Sequence, residues 1–167
     1  MPAAGLHDGA VMIREREAAD LDRCVVMLRA VHEADRYPLN WPPDPARWLT
    51  PPELMAAWVA ELPAGHLAGH VALQHPTGDG EPFRGAELSR LFVDPAARRH
   101  SVAAALLGQA ETWTTERGLT LTLTVTDEHR SSAIAFYEAT GWQHINTTTA
   151  DWTTPDGTPV RLRHYRR

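Results

Sequence analysis

Residues 98–101 of this 167-residue chain are Arg-Arg-His-Ser, a short basic stretch whose side chains could bind an anion. An apolar, strand-like run at residues 91–93 precedes it, and a helix-like run of small residues at 102–107 follows it directly. The first N–H groups of a helix lack intrahelical partners and lie at the positive end of its dipole, so such a junction binds phosphate well. We therefore interpret residues 88–107 as a strand, a phosphate-binding turn and the start of a helix.

The segments before this turn are interpreted from the spacing of their apolar residues. Residues 12–16 indicate a first strand, and helical spacing over residues 20–35 predicts an amphipathic helix with Asp20 as its N-cap. Cys24 lies on the apolar stripe of that helix, where a small core side chain is expected. The sequence Thr-Pro-Pro-Glu at residues 50–53 resembles a capping box and predicts a second helix, which continues to Glu61.

Strand and helix patterns alternate through the rest of the chain. Residues 66–73 and the strand that begins near Ala86 suggest an antiparallel pair, because a turn-rich stretch connects them. A helix over 102–117 and a strand over 119–126, in which apolar residues alternate with threonine, form a right-handed crossover with the preceding strand. Such a crossover makes its two strands parallel. A short helix over residues 131–140 and a terminal hairpin, formed by residues 142–152 and 160–165, complete the prediction.

Composition limits the class of protein. A formal net charge of -5 provides no general attraction to nucleic acid or anionic lipid, and no apolar run reaches the length of a membrane span. The single cysteine excludes an internal disulfide framework and suits the reducing cytoplasm, and the strand positions of His66 and His70 argue against a shared metal. We expect residues 1–10 to be a flexible leader and residues 11–167 to form one domain without a metal cofactor.

Two large classes of nucleotide-binding protein are disfavoured by the basic turn. It lacks the Gly-x-x-x-x-Gly-Lys-[Ser/Thr] pattern of a phosphate loop and the Gly-x-Gly-x-x-Gly pattern of a dinucleotide site. A phosphate-binding turn that is joined through a parallel crossover to a helix with a tyrosine favours a long phosphorylated cofactor between two neighbouring strands. From the residues alone, a purely structural turn remains an alternative.

Two stretches together resemble the GNAT superfamily of acyl-CoA-dependent N-acyltransferases. Residues 98–103 are similar to its pyrophosphate signature [Gln/Arg]-x-x-Gly-x-[Gly/Ala], with Ser101 in place of the first glycine, and residues 91–95 resemble its central strand. Residues 133–142 resemble the later segment of the family, in which a tyrosine precedes Glu-x-x-Gly. The resemblance covers residues 86–142. It implies an α/β (α+β) fold with a mixed, mostly antiparallel sheet of six to seven strands, a parallel central pair and about four flanking helices.

The resemblance implies transfer of an acyl group from acetyl-CoA, or another acyl-CoA, to an amine by direct attack while both substrates are bound. Tyr137 corresponds to the family tyrosine near the sulfur and is expected to act as general acid. Arg130 stands where many members have a cofactor-binding asparagine. The residues implied to bind the cofactor are Leu91, Phe92, Val93, Arg98, Arg99, His100, Ser101, Val102, Ala103, Ala104, Arg130, Ala133 and Phe136.

Glu87 is our candidate for the general base. Strand alternation places Glu87, Leu91 and Val93 on one face, so Glu87 is expected to share a face with the proposed cofactor contact. The alternative is a solvated charge at the end of a strand, or an amine that arrives already neutral. Asp35, His32 and His70 are weaker candidates.

The acceptor is expected at the proline-rich aromatic segment, residues 36–49, where members of the family commonly vary. The candidate substrate-binding residues are His32, Tyr37, Trp41 and Trp48, although the two tryptophans could instead only dock this segment onto the core. Small amines, amino acids, antibiotics and protein N-termini all remain possible acceptors. Two alternative functions are an acyltransferase whose donor is an acyl-carrier protein and a non-catalytic acyl-CoA-binding module. The chain could also form a homodimer.

Overall fold

The computed structural model describes residues 11–76, 84–98, 101–127 and 131–167, with residues 131 and 132 described for their backbone alone. The predicted leader at residues 1–10 lies outside these ranges. Three predicted cofactor residues, Arg99, His100 and Arg130, also lie outside them, so their roles stay predictions.

Seven strands form a single sheet in the order β1-β2-β3-β4-β5-β7-β6. All neighbouring pairs are antiparallel except β4 and β5, which are parallel as the predicted crossover requires. The strands are β1 (Met12–Glu15), β2 (Leu54–Glu61), β3 (Leu67–Gln74), β4 (Gly85–Val93), β5 (Thr120–Thr126), β6 (Gln143–Thr153) and β7 (Pro159–Arg166).

Helices cover both faces of the sheet. The helices are α1 (Leu21–Asp35), α2 (Pro45–Trp48), α3 (Val102–Glu116) and α4 (Ser131–Ala139). Helix α1 packs its residues Cys24, Leu28 and Val31 against Val59 and Phe92 on one face. Helix α3 packs Val102, Leu106 and Ala110 against the other face, where side chains of β3, β4 and β5 meet it. The predicted mixed sheet with its parallel central pair and about four helices is confirmed.

The helix predicted over residues 50–61 is wrong, because Leu54–Glu61 forms strand β2. This strand lies between β1 and β3, and its backbone N–H and C=O groups form hydrogen bonds with both of them. Successive side chains alternate between the two faces, with Trp58 and Ala60 in the α3 core and Val59 in the α1 core. Burial on both faces outweighs the local capping signal and the helix-forming alanines.

Asp20 precedes helix α1, but its carboxylate does not serve as the predicted cap. It accepts hydrogen bonds from two guanidinium nitrogens of Arg14, each at 2.9 Å, and from the backbone N–H of Glu17 at 2.7 Å. The Arg14 hydrogen bonds lower the pKa of Asp20 to about 2. A buried carboxylate therefore joins strand β1 to the start of α1 through an ion pair.

Gly69 allows the start of α3 to lie close against strand β3. A Cβ atom at this position would lie 2.7 Å from Cγ1 of Val102 and 2.9 Å from Cδ1 of Leu106, which is closer than carbon atoms approach in folded proteins. Because Gly69 pairs with Val93, this close approach sets the N-terminus of α3 beside the end of β4.

Two further predictions concern burial and membrane association. Cys24 is fully buried, as predicted, and burial raises the pKa of its thiol to about 11, so it has little thiolate character. Across the described ranges, no helix is both long and apolar enough to cross a membrane.

Candidate active site

Strands β4 and β5 diverge in the middle of the sheet. Their parallel pairing runs from Gly85 opposite Thr120 to Leu88 opposite Leu123. Both strands continue beyond this point, to Val93 and Thr126, without further pairing between them in the described chain. The divergence opens a gap in the sheet, and cavities lie on both sides of it.

A groove of about 1070 Å³ lies at the ends of β4 and α1, against the starts of α3 and α4. Ten of the thirteen predicted cofactor residues are described, and all ten line it. They are Leu91, Phe92, Val93, Arg98, Ser101, Val102, Ala103, Ala104, Ala133 and Phe136. Leu91 and Phe136, which are 45 positions apart in sequence, therefore lie on the surface of the same groove.

Ser101 adopts a backbone conformation that favours glycine. Its φ of 57° and ψ of 31° lie in the left-handed region immediately before helix α3. Its backbone carbonyl accepts the helical hydrogen bond from the N–H of Ala105 at 3.1 Å. The glycine of the family signature is thus explained by backbone geometry, and serine occupies the same conformation with a modest strain.

Arg98 provides a positive charge beside this helix start, and Asp35 partly neutralises it. The guanidinium donates to both carboxylate oxygens of Asp35, the last residue of α1, and both side chains are partly exposed within the groove. Asp35 therefore forms an ion pair at the α3 end of the groove, which argues against its weaker candidacy as general base.

The backbone of β4 contributes an N–H group to the groove. The N–H of Asp94 donates to the carbonyl of Ala68 in β3 at 2.8 Å. Successive N–H groups of an extended chain point to opposite sides, so the N–H of Val93 points away from β3 and toward the gap between β4 and β5. Val93 lines the groove, where this donor can meet a carbonyl oxygen.

A narrow slot of about 100 Å³ continues from the groove through the gap in the sheet. Tyr137 of helix α4 lines both the groove and the slot, and it is 8% exposed. Its ring packs edge-on against Trp142 and Phe136, with centroids 5.9 and 5.4 Å away. Tyr137 is therefore held rigidly at the passage between the two sides of the sheet.

A second cavity of about 470 Å³ lies at the other end of the slot. It shares Tyr37, Ser89 and Arg90 with the slot, and the slot shares Leu91 and Tyr137 with the groove, so the three spaces adjoin one another. Its walls come from the proline-rich segment, the α1 face of the sheet and the terminal hairpin. Its lining includes Arg36, Tyr37, Trp48, Gln74, Glu87, Arg90, Thr124 and Trp152.

Glu87 lies in the second cavity within a network of hydrogen bonds. Its carboxylate accepts from Nε2 of Gln74 at 3.3 Å and from Oγ1 of Thr124 at 3.2 Å. Thr124 also lies 3.2 Å from Nδ1 of His164, whose Nε2 lies 2.7 Å from Oγ1 of Thr148. Sequence reasoning missed Gln74, Thr124 and His164, because no local motif links residues of three different strands.

The expectation that Glu87 shares a face with Val93 is wrong. A β-bulge places Arg90 and Leu91 opposite the single residue Val71, since Ser89 pairs with Ala72 and Phe92 with His70. Arg90 has a left-handed φ of 49° at this bulge. One extra residue reverses the alternation of side chains, so Glu87 shares the α1 face with Phe92, whereas Val93 packs toward α3.

The two histidines named as weaker bases are engaged elsewhere. His70 is fully buried, with Nδ1 2.9 Å from the carbonyl of Arg90 and Nε2 2.9 Å from Arg16. Burial lowers the pKa of His70 to about 3. Nδ1 of His32 donates to the carbonyl of Pro38 at 2.8 Å. Neither geometry favours proton abstraction from an acceptor.

The four predicted acceptor residues divide into two pairs. Tyr37 and Trp48 line the second cavity, and both also pack on the α1 core, so the two alternatives considered for the aromatic segment are compatible. His32 and Trp41 instead pack against each other with ring centroids 5.2 Å apart, and they lie outside the described lining of this cavity.

The described side chains contain no cluster of three or more His, Cys, Asp or Glu residues suited to a metal ion. Nε2 of His66, one of the histidines considered for such a site, instead lies 3.1 Å from Oδ2 of Asp94, at hydrogen-bond distance.

The sequence model of the acetyltransferase (GNAT) family matches residues 22–142. A comparison with curated proteins found no match.

Solved structures resemble the whole chain. A putative phosphinothricin N-acetyltransferase aligns with a TM-score of 0.74 at 21% identity, covering 94% of this chain and 97% of that chain. The ribosomal-protein-S18-alanine N-acetyltransferase from Escherichia coli aligns with a TM-score of 0.71 at 20% identity, covering 93% of each chain. Arabidopsis thaliana NAA60, solved in complex with acetyl-CoA, aligns with a TM-score of 0.71 at 16% identity, covering 94% of this chain and 97% of that chain. At these identities the likeness establishes the fold.

Proposed function

Because the chain belongs to the GNAT acetyltransferase family, we propose that it transfers an acetyl or other short acyl group from a coenzyme A thioester to a primary amine. The observation that carries this proposal is that the groove, the slot beside Tyr137 and the second cavity adjoin in this order, with lining residues in common. This arrangement allows a donor on one side of the sheet and an acceptor on the other to meet at the gap between β4 and β5.

The groove has features that suit an acyl-CoA. Ala103 and Ala104 line its phosphate end with small side chains, where the first N–H groups of α3 are available for an anion. In this proposal Arg98 and residues 101–104 hold the pyrophosphate, and the backbone of Leu91 and Val93 holds the pantetheine arm. The fold neighbour solved with acetyl-CoA supports the same co-substrate.

An acyl-CoA supplies a thioester whose acyl group an amine can take while the sulfur leaves. The N–H of Val93 is oriented to donate to the thioester oxygen, on which negative charge develops during attack. The hydroxyl of Tyr137 donates a proton to the departing sulfur, and its position at the slot supports this role. Water exclusion by the packed rings around Tyr137 strengthens both interactions.

Glu87 is proposed as the general base. Its carboxylate lines the second cavity on the far side of the slot from the groove, so it can accept the amine proton directly or through water. Thr124 and His164 provide a chain of polar groups from Glu87 toward the exposed Thr148. This chain offers the proton a path to solvent.

Arg98 must exchange partners when the pyrophosphate binds. Its ion pair with Asp35 is partly exposed, so solvent screens the attraction and the guanidinium can turn to a phosphate at low cost.

A single free cysteine in the described chain suits the cytoplasm, where we propose that this reaction takes place.

A thiol-release assay with acetyl-CoA and a panel of primary amines tests the proposed activity. We expect free coenzyme A to appear above the rate without amine for at least one acceptor. Binding of acetyl-CoA without release of thiol by any amine would favour a non-catalytic binding module. Acyl-phosphopantetheine used in parallel distinguishes a carrier-protein donor, because it keeps one phosphate of the pyrophosphate but lacks the second phosphate and the nucleoside.

A further inference from the structure

Resting on the proposed transfer to an amine, we propose that the acceptor is a free α-amino acid whose carboxylate binds Arg90 and whose amino group lies at Glu87. Both side chains line the second cavity, on the opposite side of the slot from the acyl-CoA groove. The proposal depends on how these two opposite charges are held apart.

Arg90 is a half-buried cation without an ion-pair partner among the described residues. Its Nε donates to the carbonyl of Trp48 at 3.1 Å, and its Nη1 donates to Oε1 of Gln74 at 3.2 Å. The guanidinium lies over the Trp48 ring, 4.4 Å from the ring centroid. A guanidinium has five N–H donors, so the Nη2 side stays available to a ligand in the cavity.

The environment of Arg90 favours an anion. Burial lowers the pKa of Arg90, while electrostatic interactions with Tyr37, Glu87 and Glu53 oppose that shift. A guanidinium that has lost water without gaining a carboxylate is stabilised when an anion binds. Arg36, which also lines the cavity, adds a second positive charge.

Gln74 keeps Glu87 and Arg90 from neutralising each other. Its side-chain amide is buried between them, donating from Nε2 to Glu87 and accepting at Oε1 from Arg90. Ser89 also donates to Oε1 of Gln74 at 3.1 Å, which fixes the amide in this orientation. One carboxylate and one guanidinium therefore face the same cavity, each with hydrogen-bonding capacity that the described residues do not use.

An α-amino acid has the complementary arrangement. Its ammonium group and its carboxylate are joined through one carbon, so it can donate to Glu87 and accept from Arg90, with the same polarity as the Gln74 amide. The aromatic rings of Tyr37, Trp48 and Trp152 surround the remaining space, where a side chain can pack. A peptide N-terminus would place an uncharged amide at Arg90.

Calorimetric titration of the enzyme saturated with coenzyme A tests this site without turnover. The ligands are the standard α-amino acids and their α-carboxamides, each pair differing only in the anionic group. We expect at least one amino acid to bind about tenfold or more tightly than its carboxamide, as charged hydrogen bonds to a guanidinium allow. Arg90→Gln should abolish that preference, whereas Arg90→Lys, which keeps the charge, should retain part of it.

Arg29→Gln is the matched control. Arg29 also lies over a tryptophan, with its guanidinium carbon 4.5 Å from the Trp41 ring centroid, but it does not contribute to the described lining of the cavity. This variant should keep the full preference for the carboxylate. The melting temperature and coenzyme A affinity of each variant show whether the fold is intact, and the wild-type comparison of acid with amide requires no variant.

Equal binding of acids and carboxamides, or no binding of any amino acid, would overturn the amino-acid site. The thiol-release assay separates this outcome from failure of the proposed function. Acetylation of amines without preference for a carboxylate would leave the transferase intact and remove the Arg90 site. Tight binding of an amino acid without acetylation would leave the site intact and remove the transferase.

Discussion

The imidazole Nδ1 of His70 donates a hydrogen bond to the backbone carbonyl of Arg90, the residue at the bulge of β4, across 2.9 Å. The tautomer follows from the other ring nitrogen, because Nε2 lies 2.9 Å from Arg16 and a guanidinium can only donate. His70 also stacks on Phe92, with ring centroids 5.0 Å apart. A neutral, buried histidine thus stabilises the backbone at the position where β4 reverses its faces.

Stability should therefore fall on acidification. The pKa of His70 is lowered from 6.5 to about 3 by burial, so between these values the unfolded chain binds a proton that the folded chain does not. The free energy of unfolding accordingly rises with pH in this window, and His70 should contribute a loss of about 2 kcal/mol between about pH 7 and pH 5. Urea denaturation at both pH values measures this loss.

His70→Asn isolates the contribution of the ring. Asparagine can still donate to the Arg90 carbonyl but does not titrate, so the variant should lose about 2 kcal/mol less than the wild type over the same pH interval. Asp20, whose pKa is lowered to about 2, titrates below this interval. Equal losses in the two proteins would remove His70 as the source.

Replacing Ser101 by glycine should stabilise the protein. The left-handed φ of 57° is unfavourable for serine and costs glycine nothing, although glycine gains more freedom in the unfolded chain. We expect the free energy of unfolding of Ser101→Gly to rise by roughly 0.5–1 kcal/mol. Ser101→Ala retains the Cβ and the strain, so a similar gain for alanine would contradict the explanation.

An acidic side chain at position 103 should weaken acyl-CoA binding. Ala103 lines the groove at the start of α3, so Ala103→Glu places a carboxylate where the pyrophosphate is proposed to bind. We expect the Kd for acetyl-CoA to rise by roughly 10–100-fold through repulsion and steric exclusion, measured by calorimetry. The helix itself should remain stable, because an acidic residue suits its first turn.

Gln109→Glu is the corresponding control. It adds the same charge to the same helix, at a half-buried position outside the described groove lining, and it should leave acetyl-CoA affinity nearly unchanged. Similar losses in both variants would point to a general charge effect and contradict the placement of the pyrophosphate.

Removal of the Tyr137 hydroxyl should slow turnover without affecting cofactor binding. Tyr137→Phe keeps the aromatic packing against Trp142, so we expect kcat to fall by roughly 100-fold with an unchanged Kd for acetyl-CoA. Tyr165→Phe is the control. The Tyr165 hydroxyl donates to Glu138 at 2.9 Å outside the groove and slot, and its loss should lower stability alone. An unchanged kcat in Tyr137→Phe would exclude the acid role.

Glu87→Gln should reduce activity most at neutral pH. The amide preserves the size of the side chain but cannot accept the amine proton, so kcat/KM at about pH 7 should fall by roughly tenfold or more. The deficit should shrink as the pH rises, because the acceptor then arrives as a neutral amine. Glu61→Gln makes the same change at a residue paired with Arg14, away from the cavity, and should be silent in this assay. A deficit independent of pH would argue for a structural role of Glu87.

The amino-acid sequence by itself determined the elements that line the proposed cofactor groove. The turn at residues 98–101 and the segment at 133–142 are local patterns, and both can be recognised without knowing what they contact. The crossover from β4 through α3 to β5 then requires these segments to lie on neighbouring parts of the sheet. Ten predicted cofactor residues lining a single groove reflect this local coding.

Only the tertiary structure decided the conformation of β2 and which residues line the second cavity. Leu54–Glu61 has local helix signals, and pairing with two distant strands overrides them. The bulge at Arg90 arises from the register of β4 against β3, which no local pattern encodes, and it moves Glu87 to the face opposite Val93. Gln74 and Thr124 reach Glu87 from the neighbouring strands on either side. A register shift of one residue reverses every side chain of a strand, so long-range pairing decides which polar groups line the second cavity.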